Sequence, residues 1–298
     1  MSLAKFAMLA VCCKVGHLCL ASVVSEDAGE CAALPAEQAS AGERAMLQHS
    51  EAHRVGINAV EGSSKAKKAP QCTCQTANPE WKPCKRTVAK CVFIDLGAAD
   101  GNTFKVFLDN GYGTVGNCTE NGPGAWEAIL VEANPNFDQK LKAEVAKYPS
   151  GYVTAMTSTA AYMCEGQTSF FVDTMNTAEN FWGSSMSENT PDVQKSGKQS
   201  VTVPTMNLNK ILYENTIPAD HVILKMDIEG AEFDVLPCLV QSPSSNLVDS
   251  FYLEEHPVDW GNIGTTLADM ATHKATLVSR GVEIPEYFSH TLLQKSAA

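Results

Sequence analysis

The sequence is short of positive charge. Its 298 residues carry 22 Lys and Arg against 34 Asp and Glu, a formal net charge of -12. A phosphate backbone repels such a chain, which argues against nonspecific nucleic-acid binding. No basic stripe offsets the balance: the densest basic run, Lys65-Ala66-Lys67-Lys68, lies in a segment that reads as disordered. Beyond the N-terminus no apolar run is long enough to span a bilayer. There is no internal repeat. The C-x2-C knuckle with a nearby His, typical of structural zinc sites, is missing. So is the G-x-G-x-x-G fingerprint of a dinucleotide site.

What is present suffices for one sizeable domain with a core plus extra segments, since 44% of residues are apolar. Residues 1–21 pair an early charge, Lys5, with the apolar runs 6-FAMLAVCC-13 and 18-LCLA-21, and Cys19 and Ala21 have cleavage-site spacing. This reads as a secretory signal peptide, with an uncleaved membrane anchor or an organelle-targeting peptide as the alternatives. Residues 22–70, rich in Ala, Glu, Ser and Gly, read as a weakly ordered arm. Of eleven cysteines, Cys12, Cys13 and Cys19 fall in the signal, leaving an even eight, as a disulfide-bonded secreted chain would have. Cys72, Cys74, Cys84 and Cys91 cluster in residues 71–91 and are expected to pair among themselves, with zinc as the competing reading. Asn117-Cys118-Thr119 is the single glycosylation sequon.

From residue 87 to the C-terminus, apolar runs alternate with helical stretches. Strands are expected at 91–97, 127–135, 152–161, 168–173, 201–206, 221–227 and 248–256. Helices are expected at 102–111, 137–148, 208–214, after 227, and at 265–280. A polar insertion runs from 174 to 197. The alternation predicts an α/β fold with a mostly parallel sheet and helices on both faces. Continuously apolar strands suit burial on both sides.

Three motifs carry chemistry. In 94-IDLGAADG-101 a strand ends at Asp95, meets Gly97 and Gly101 and opens a helix, the geometry by which a ligand approaches bare backbone at a helix N-terminus. In 131-VEANP-135 the second strand ends in Glu132, which could accept the hydroxyls of a ribose or could cap the next helix. In 221-HVILKMDIEGAEFDVLP-237 the most apolar strand runs into Asp227, Glu229, Glu232 and Asp234. Asp227 closes its strand and so faces the crevice where open α/β sheets bind ligands. Glu229 and Glu232 are expected in the first turn of the next helix, where negative charge suits the dipole. Gly230 permits the tight turn between them. Asp234 is expected in solvent. His256 ends the 251-FYLEEH-256 strand on the same side. Asp227 or His256 could act as a general base, or Asp227, Glu229 and His256 could together hold a divalent metal.

Lys225-Met226-Asp227-Ile228-Glu229-Gly230-Ala231-Glu232, together with 94-IDLGAADGNTF-104, 131-VEANP-135, 182-WGSSM-186 and 251-FYLEEH-256, resembles the FkbM-type methyltransferase family over about residues 88–280. Ala99-Asp100 stands where that family often has Asn-Ile. The resemblance implies a Rossmann-like methyltransferase fold and S-adenosyl-L-methionine as cofactor. It implies methyl transfer to the oxygen of a sugar, glycan or small metabolite. By the same resemblance Asp95, Gly97, Ala98 and Gly101 line the cofactor, Glu132 holds its ribose and Ala160 lies near its adenine. The chain is then expected in the secretory pathway without a stable membrane span once the signal is removed. A non-catalytic secreted binding domain that keeps the fold is the other reading. A nicotinamide-dependent oxidoreductase would need tighter glycine spacing than this chain has.

Overall fold

The computed structural model describes residues 72, 74, 80–109, 118, 126–177 and 181–286. The expected signal peptide, the arm with its lysines and Cys31, and the sequon at Asn117 lie outside the described residues. The elements are β1 (Cys91–Leu96), α1 (Asn102–Asp109), β2 (Trp126–Val131), α2 (Asp138–Val145), β3 (Val153–Met156), β4 (Ala160–Tyr162), β5 (Gly166–Phe171), α3 (Pro191–Lys195), β6 (Ser200–Asn207), α4 (Leu208–Asn215), β7 (His221–Met226), α5 (Glu232–Gln241), β8 (Ser250–Leu253) and α6 (Leu267–Ser279).

Five strands form one sheet in the order β3-β2-β1-β7-β8, every pair parallel. β1 shows why its residues are apolar in a run. Phe93 packs with Phe104, Phe107, Trp126 and Ile223 on one face. Val92, Ile94 and Leu96 pack with Leu224, Met226, Phe233 and Leu236 on the other. Successive side chains of a strand point to opposite faces, so a strand covered on both sides needs both sets apolar. The chain builds outward from β1 to β2 and β3, then returns to lay β7 on the other side of β1. The order therefore reverses between β1 and β7, and ligands of open α/β sheets bind at such a switch point, beyond the carboxyl ends of the strands. This is the expected Rossmann-like arrangement.

A small sheet, β4-β6-β5, sits beside it, with β4 and β6 parallel and β5 and β6 antiparallel. Here the structure corrects the reading of 152–161 as one strand. β3 and β4 belong to different sheets, and the chain breaks between them at Ser158, whose φ is 48°. Left-handed backbone cannot continue a strand. The 174–197 insertion contains α3, and Ser185 within it bridges to Phe171 at the end of β5. The last strand is shorter than expected and stops at Leu253.

The cysteines are wired differently from the expectation. Cys72 pairs with Cys238, Cys74 with Cys164 and Cys91 with Cys118, and Cys84 is disulfide-bonded too. None of these three bridges joins two members of the 72–91 cluster. Cys72, Cys74 and Cys91 each bond instead to a cysteine of the folded domain. The segment also packs upstream of residue 87: Trp81 is buried, the Cys84 N–H donates to the Tyr213 carbonyl, and Arg86 grips both oxygens of Asp220 at 2.6 and 2.7 Å. Among the described residues no helix is long and apolar enough to cross a membrane.

Candidate active site

A cavity of about 290 Å³ opens at the switch point. One wall comes from the ends of β1, β2 and β4, the other from the end of β7 and the stretch after β8.

The first wall is mostly backbone. Gly97 follows β1 with φ at 81°, and a Cβ there would lie 1.8 Å from the carbonyl oxygen of Asp227. Only glycine allows the exits of β1 and β7 to pass so closely. Glu132 follows β2 and is buried. One carboxylate oxygen accepts the Ala99 N–H at 2.7 Å and the other the Asn134 N–H at 2.6 Å. Burial pushes its carboxyl up to about 7, and the two N–H bonds and Lys225 oppose the rise. Ala160, the first residue of β4, lines the same side.

Three residues expected against the cofactor are not among those lining the cavity. Ala98 is packed in the core with Phe104 and Leu141. The missing side chain of Gly101 makes room for Glu144 and Leu141 of α2, which would stand 3.0 to 3.2 Å from a Cβ there. Asp95 is fully buried, with one oxygen 3.1 Å from the Lys225 ammonium. Burial lifts its carboxyl to about 6, against the pull of Lys225. Lys225, which stands in the family-like run but had no role there, links the two walls. It lies buried in β7, donates to the Gly97 carbonyl at 2.8 Å and stands 3.5 Å from Asp227, so one cation ties together the exits of β1 and β7. A lysine inside the most apolar strand was the signal for it.

The second wall brings Asp227, Glu229 and His256 together, with one ligand-capable atom of each within 4.8 Å of the others. The imidazole Nε2 lies 3.5 Å from Glu229 and 3.8 Å from Asp227, and Nδ1 lies 2.8 Å from the Glu232 carboxylate. Glu232 is fully buried and also accepts the N–H groups of His256 and Gly230. The ring stacks on Trp260 with centroids 5.4 Å apart. Burial alone would disfavour the imidazolium, but the Glu232 hydrogen bond and the charges of Glu229, Glu232 and Asp227 outweigh it and lift the pKa to about 10. The carboxylates around it thus favour the protonated imidazole. Burial, followed by the neighbouring acids, holds Glu229 well above the usual carboxylate range.

Two expectations change here. Glu229 is not in the helix, which begins at Glu232. It sits in the preceding turn at a φ of 53°, and its carbonyl accepts the Ser185 hydroxyl at 2.6 Å. Asp234 is buried rather than solvated, accepting Asn262, Ile263 and Tyr162 and so tying the stretch after β8 to α5. The 174–197 insertion closes the cavity with Trp182, Ser184, Met186 and Thr190. The run 182-WGSSM-186, part of the family resemblance, lies in this segment, and no motif there names a substrate.

A family model for the methyltransferase FkbM domain matches residues 95–276, more than half of the chain. No curated protein and no solved structure matches. The matched stretch runs from the end of β1 through α5 and past His256, and so contains both walls of the cavity. With a five-stranded parallel sheet whose order reverses at that cavity, the chain belongs to the FkbM methyltransferase family.

Proposed function

We propose that the protein is an S-adenosyl-L-methionine-dependent O-methyltransferase acting on a hydroxyl of a sugar, a glycan or a small metabolite. The supporting observation is the one cavity that joins Gly97, Glu132 and Ala160 to Asp227, Glu229 and His256. In this reading the cofactor lies along the first wall. Glu132 takes the ribose hydroxyls on the lone pairs that its two backbone bonds leave, and the bare backbone at Gly97 admits close approach. The acceptor lies against the second wall. Trp182 and Trp260 offer it flat apolar surface, and Asn134, Ser184 and Asp192 offer polar edges, a mixture suited to a hydroxylated ring.

Methyl transfer is an in-line displacement, and most of the catalysis is alignment. The acceptor oxygen forms a bond to the methyl carbon as the carbon–sulfur bond breaks. The electron pair of that bond stays on sulfur, turning the sulfonium into a neutral thioether. The hydroxyl proton passes to Asp227, since His256 already carries its own. Lys225 and His256 flank Asp227 and hold it in place. Entry into the secretory pathway through residues 1–21 is part of the same proposal, and the disulfides Cys72–Cys238, Cys74–Cys164 and Cys91–Cys118 are what an oxidising compartment allows.

Isothermal titration of the full disulfide-bonded chain with S-adenosylhomocysteine tests this. Binding should weaken about tenfold or more in Glu132→Ala, the loss of a charged hydrogen-bond acceptor. A folded chain that does not bind the compound would overturn the proposal. Binding without methyl transfer to any hydroxylated acceptor would favour the non-catalytic domain instead.

A further inference from the structure

The second wall gathers several acids around one imidazole. Asp227, Glu229 and Glu232 converge on one imidazole, and Glu254 lines the same space. The nearby Lys225 ammonium is shared among Asp95, the Gly97 carbonyl and Asp227. Carboxylates this close and this far out of water favour a proton or a cation among them.

The arrangement differs from a plain acidic cluster in three respects. First, its donors are mixed, two carboxylates and an imidazole nitrogen, on separate stretches of chain after β7 and β8. Second, the imidazole is fixed from behind. Glu232 meets Nδ1 at 2.8 Å and also accepts the His256 backbone N–H at 3.0 Å. That leaves Nε2 as the atom turned toward Asp227 and Glu229. A carboxylate behind one nitrogen with the other turned toward further ligands is the usual support of a metal-bound histidine, and a cation binding there would displace the Nε2 proton to solvent. Third, the three ligand atoms lie within 4.8 Å of one another and border the cavity. Ligands about 2.0–2.2 Å from a common centre stand up to about twice that distance apart, so slight contraction would close the set.

We propose that Asp227, Glu229 and His256 bind one divalent transition-metal cation, with Glu232 as the positioning residue behind the imidazole. Mixed oxygen and imidazole donors suit such an ion better than Mg²⁺ or Ca²⁺, which favour all-oxygen sets. Three protein ligands leave coordination positions open to the cavity. The role of the site rests on the methyltransferase reading, although binding itself does not. A bound cation would lower the pKa of an acceptor hydroxyl coordinated in an open position; with Asp227 then a ligand, the released proton would pass to solvent in place of the transfer to Asp227 in the metal-free site.

The probe is Mn²⁺, titrated into the chelator-washed, disulfide-bonded full chain and followed by the electron paramagnetic resonance signal of the free ion. One tight equivalent is expected. Glu232→Gln, which removes only the outer partner, should weaken it about ten- to a hundredfold. Asp227→Asn and Glu229→Gln should cost at least as much. Circular dichroism and S-adenosylhomocysteine binding on the same samples check that each variant folds. Wild type binding Mn²⁺ no more tightly than Asp227→Asn overturns the site. If S-adenosylhomocysteine still binds in that case, the cofactor reading stands without the metal. Tight Mn²⁺ binding with no S-adenosylhomocysteine binding supports the site and removes the cofactor reading.

Discussion

The two walls of the cavity use carboxylates in opposite ways. On the first, Glu132 is enclosed by backbone, both oxygens accept N–H groups, and burial raises its pKa toward neutrality. On the second, Asp227, Glu229 and Glu232 share one protonated imidazole. The first wall is shaped by what the backbone needs, with a single acid placed by two hydrogen bonds. The second is shaped by charge, and its acids Asp227 and Glu229 border the open space. Recognition of a fixed cofactor suits the first, and handling of a proton or a cation suits the second.

The contact between the walls is the place to break the arrangement altogether. Gly97→Ala puts a methyl 1.8 Å from the Asp227 carbonyl at a left-handed φ. Overpacking and backbone strain together should cost at least about 3 kcal/mol. Urea denaturation should show the loss, and S-adenosylhomocysteine binding and methyl transfer should fall together because both walls move.

Asp227→Asn separates the walls. Methyl transfer should drop about a hundredfold or more, the usual contribution of a positioned base. S-adenosylhomocysteine affinity, measured by titration, should stay near wild type because the first wall is intact. Equal losses in both would mean that the walls are not divided by task.

The bridges lie outside both walls, since none of the paired cysteines lines the cavity. Replacing Cys72 and Cys238 together by Ser should lower stability by about 2–4 kcal/mol and leave S-adenosylhomocysteine affinity unchanged. Mass spectrometry of non-reduced peptides should find Cys72–Cys238, Cys74–Cys164 and Cys91–Cys118 and no link within the 72–91 cluster.

The smallest effect is a pH dependence on the first wall. The Glu132 carboxyl goes from an ordinary 4.5 to about 7 on folding. A raised folded pKa means that the folded state holds the proton more tightly. Its contribution to stability is therefore full below about pH 4.5 and is lost as the pH rises through 7. Asp95, raised to about 6, acts in the same direction. Cofactor affinity should run the other way, strengthening severalfold between pH 6 and 8 as Glu132 ionises to accept the ribose. Thermal melts with and without S-adenosylhomocysteine across that range measure both trends, and Glu132→Gln should flatten the second.

Much of this was legible in the residues alone. The parallel sheet follows from apolar runs at 91–97, 127–135 and 221–227 alternating with helical stretches, because strands covered on both faces must be apolar throughout. Gly97, Glu132, Asp227 and His256 could be placed at the ligand end because each stands at or just beyond the end of a strand, and the chain direction fixes which end that is. Local backbone chemistry also separated Gly230 as the turn of the acidic stretch.

Contacts between distant segments could not be read in this way. Lys225 sits between Asp95 and Asp227 only because β7 returns beside β1, 128 positions along the chain from the Gly97 carbonyl it holds. Asp234 is buried because Asn262 and Tyr162 arrive to satisfy it, so its charge alone pointed to solvent. Cys72 and Cys74 pair with Cys238 and Cys164, 166 and 90 positions away, and spacing along the chain carries no distance across the fold. The sequence determined the elements and the face of the sheet that binds ligands, because periodicity and strand direction are local. The tertiary structure decided which charges meet, because that depends on where the chain returns.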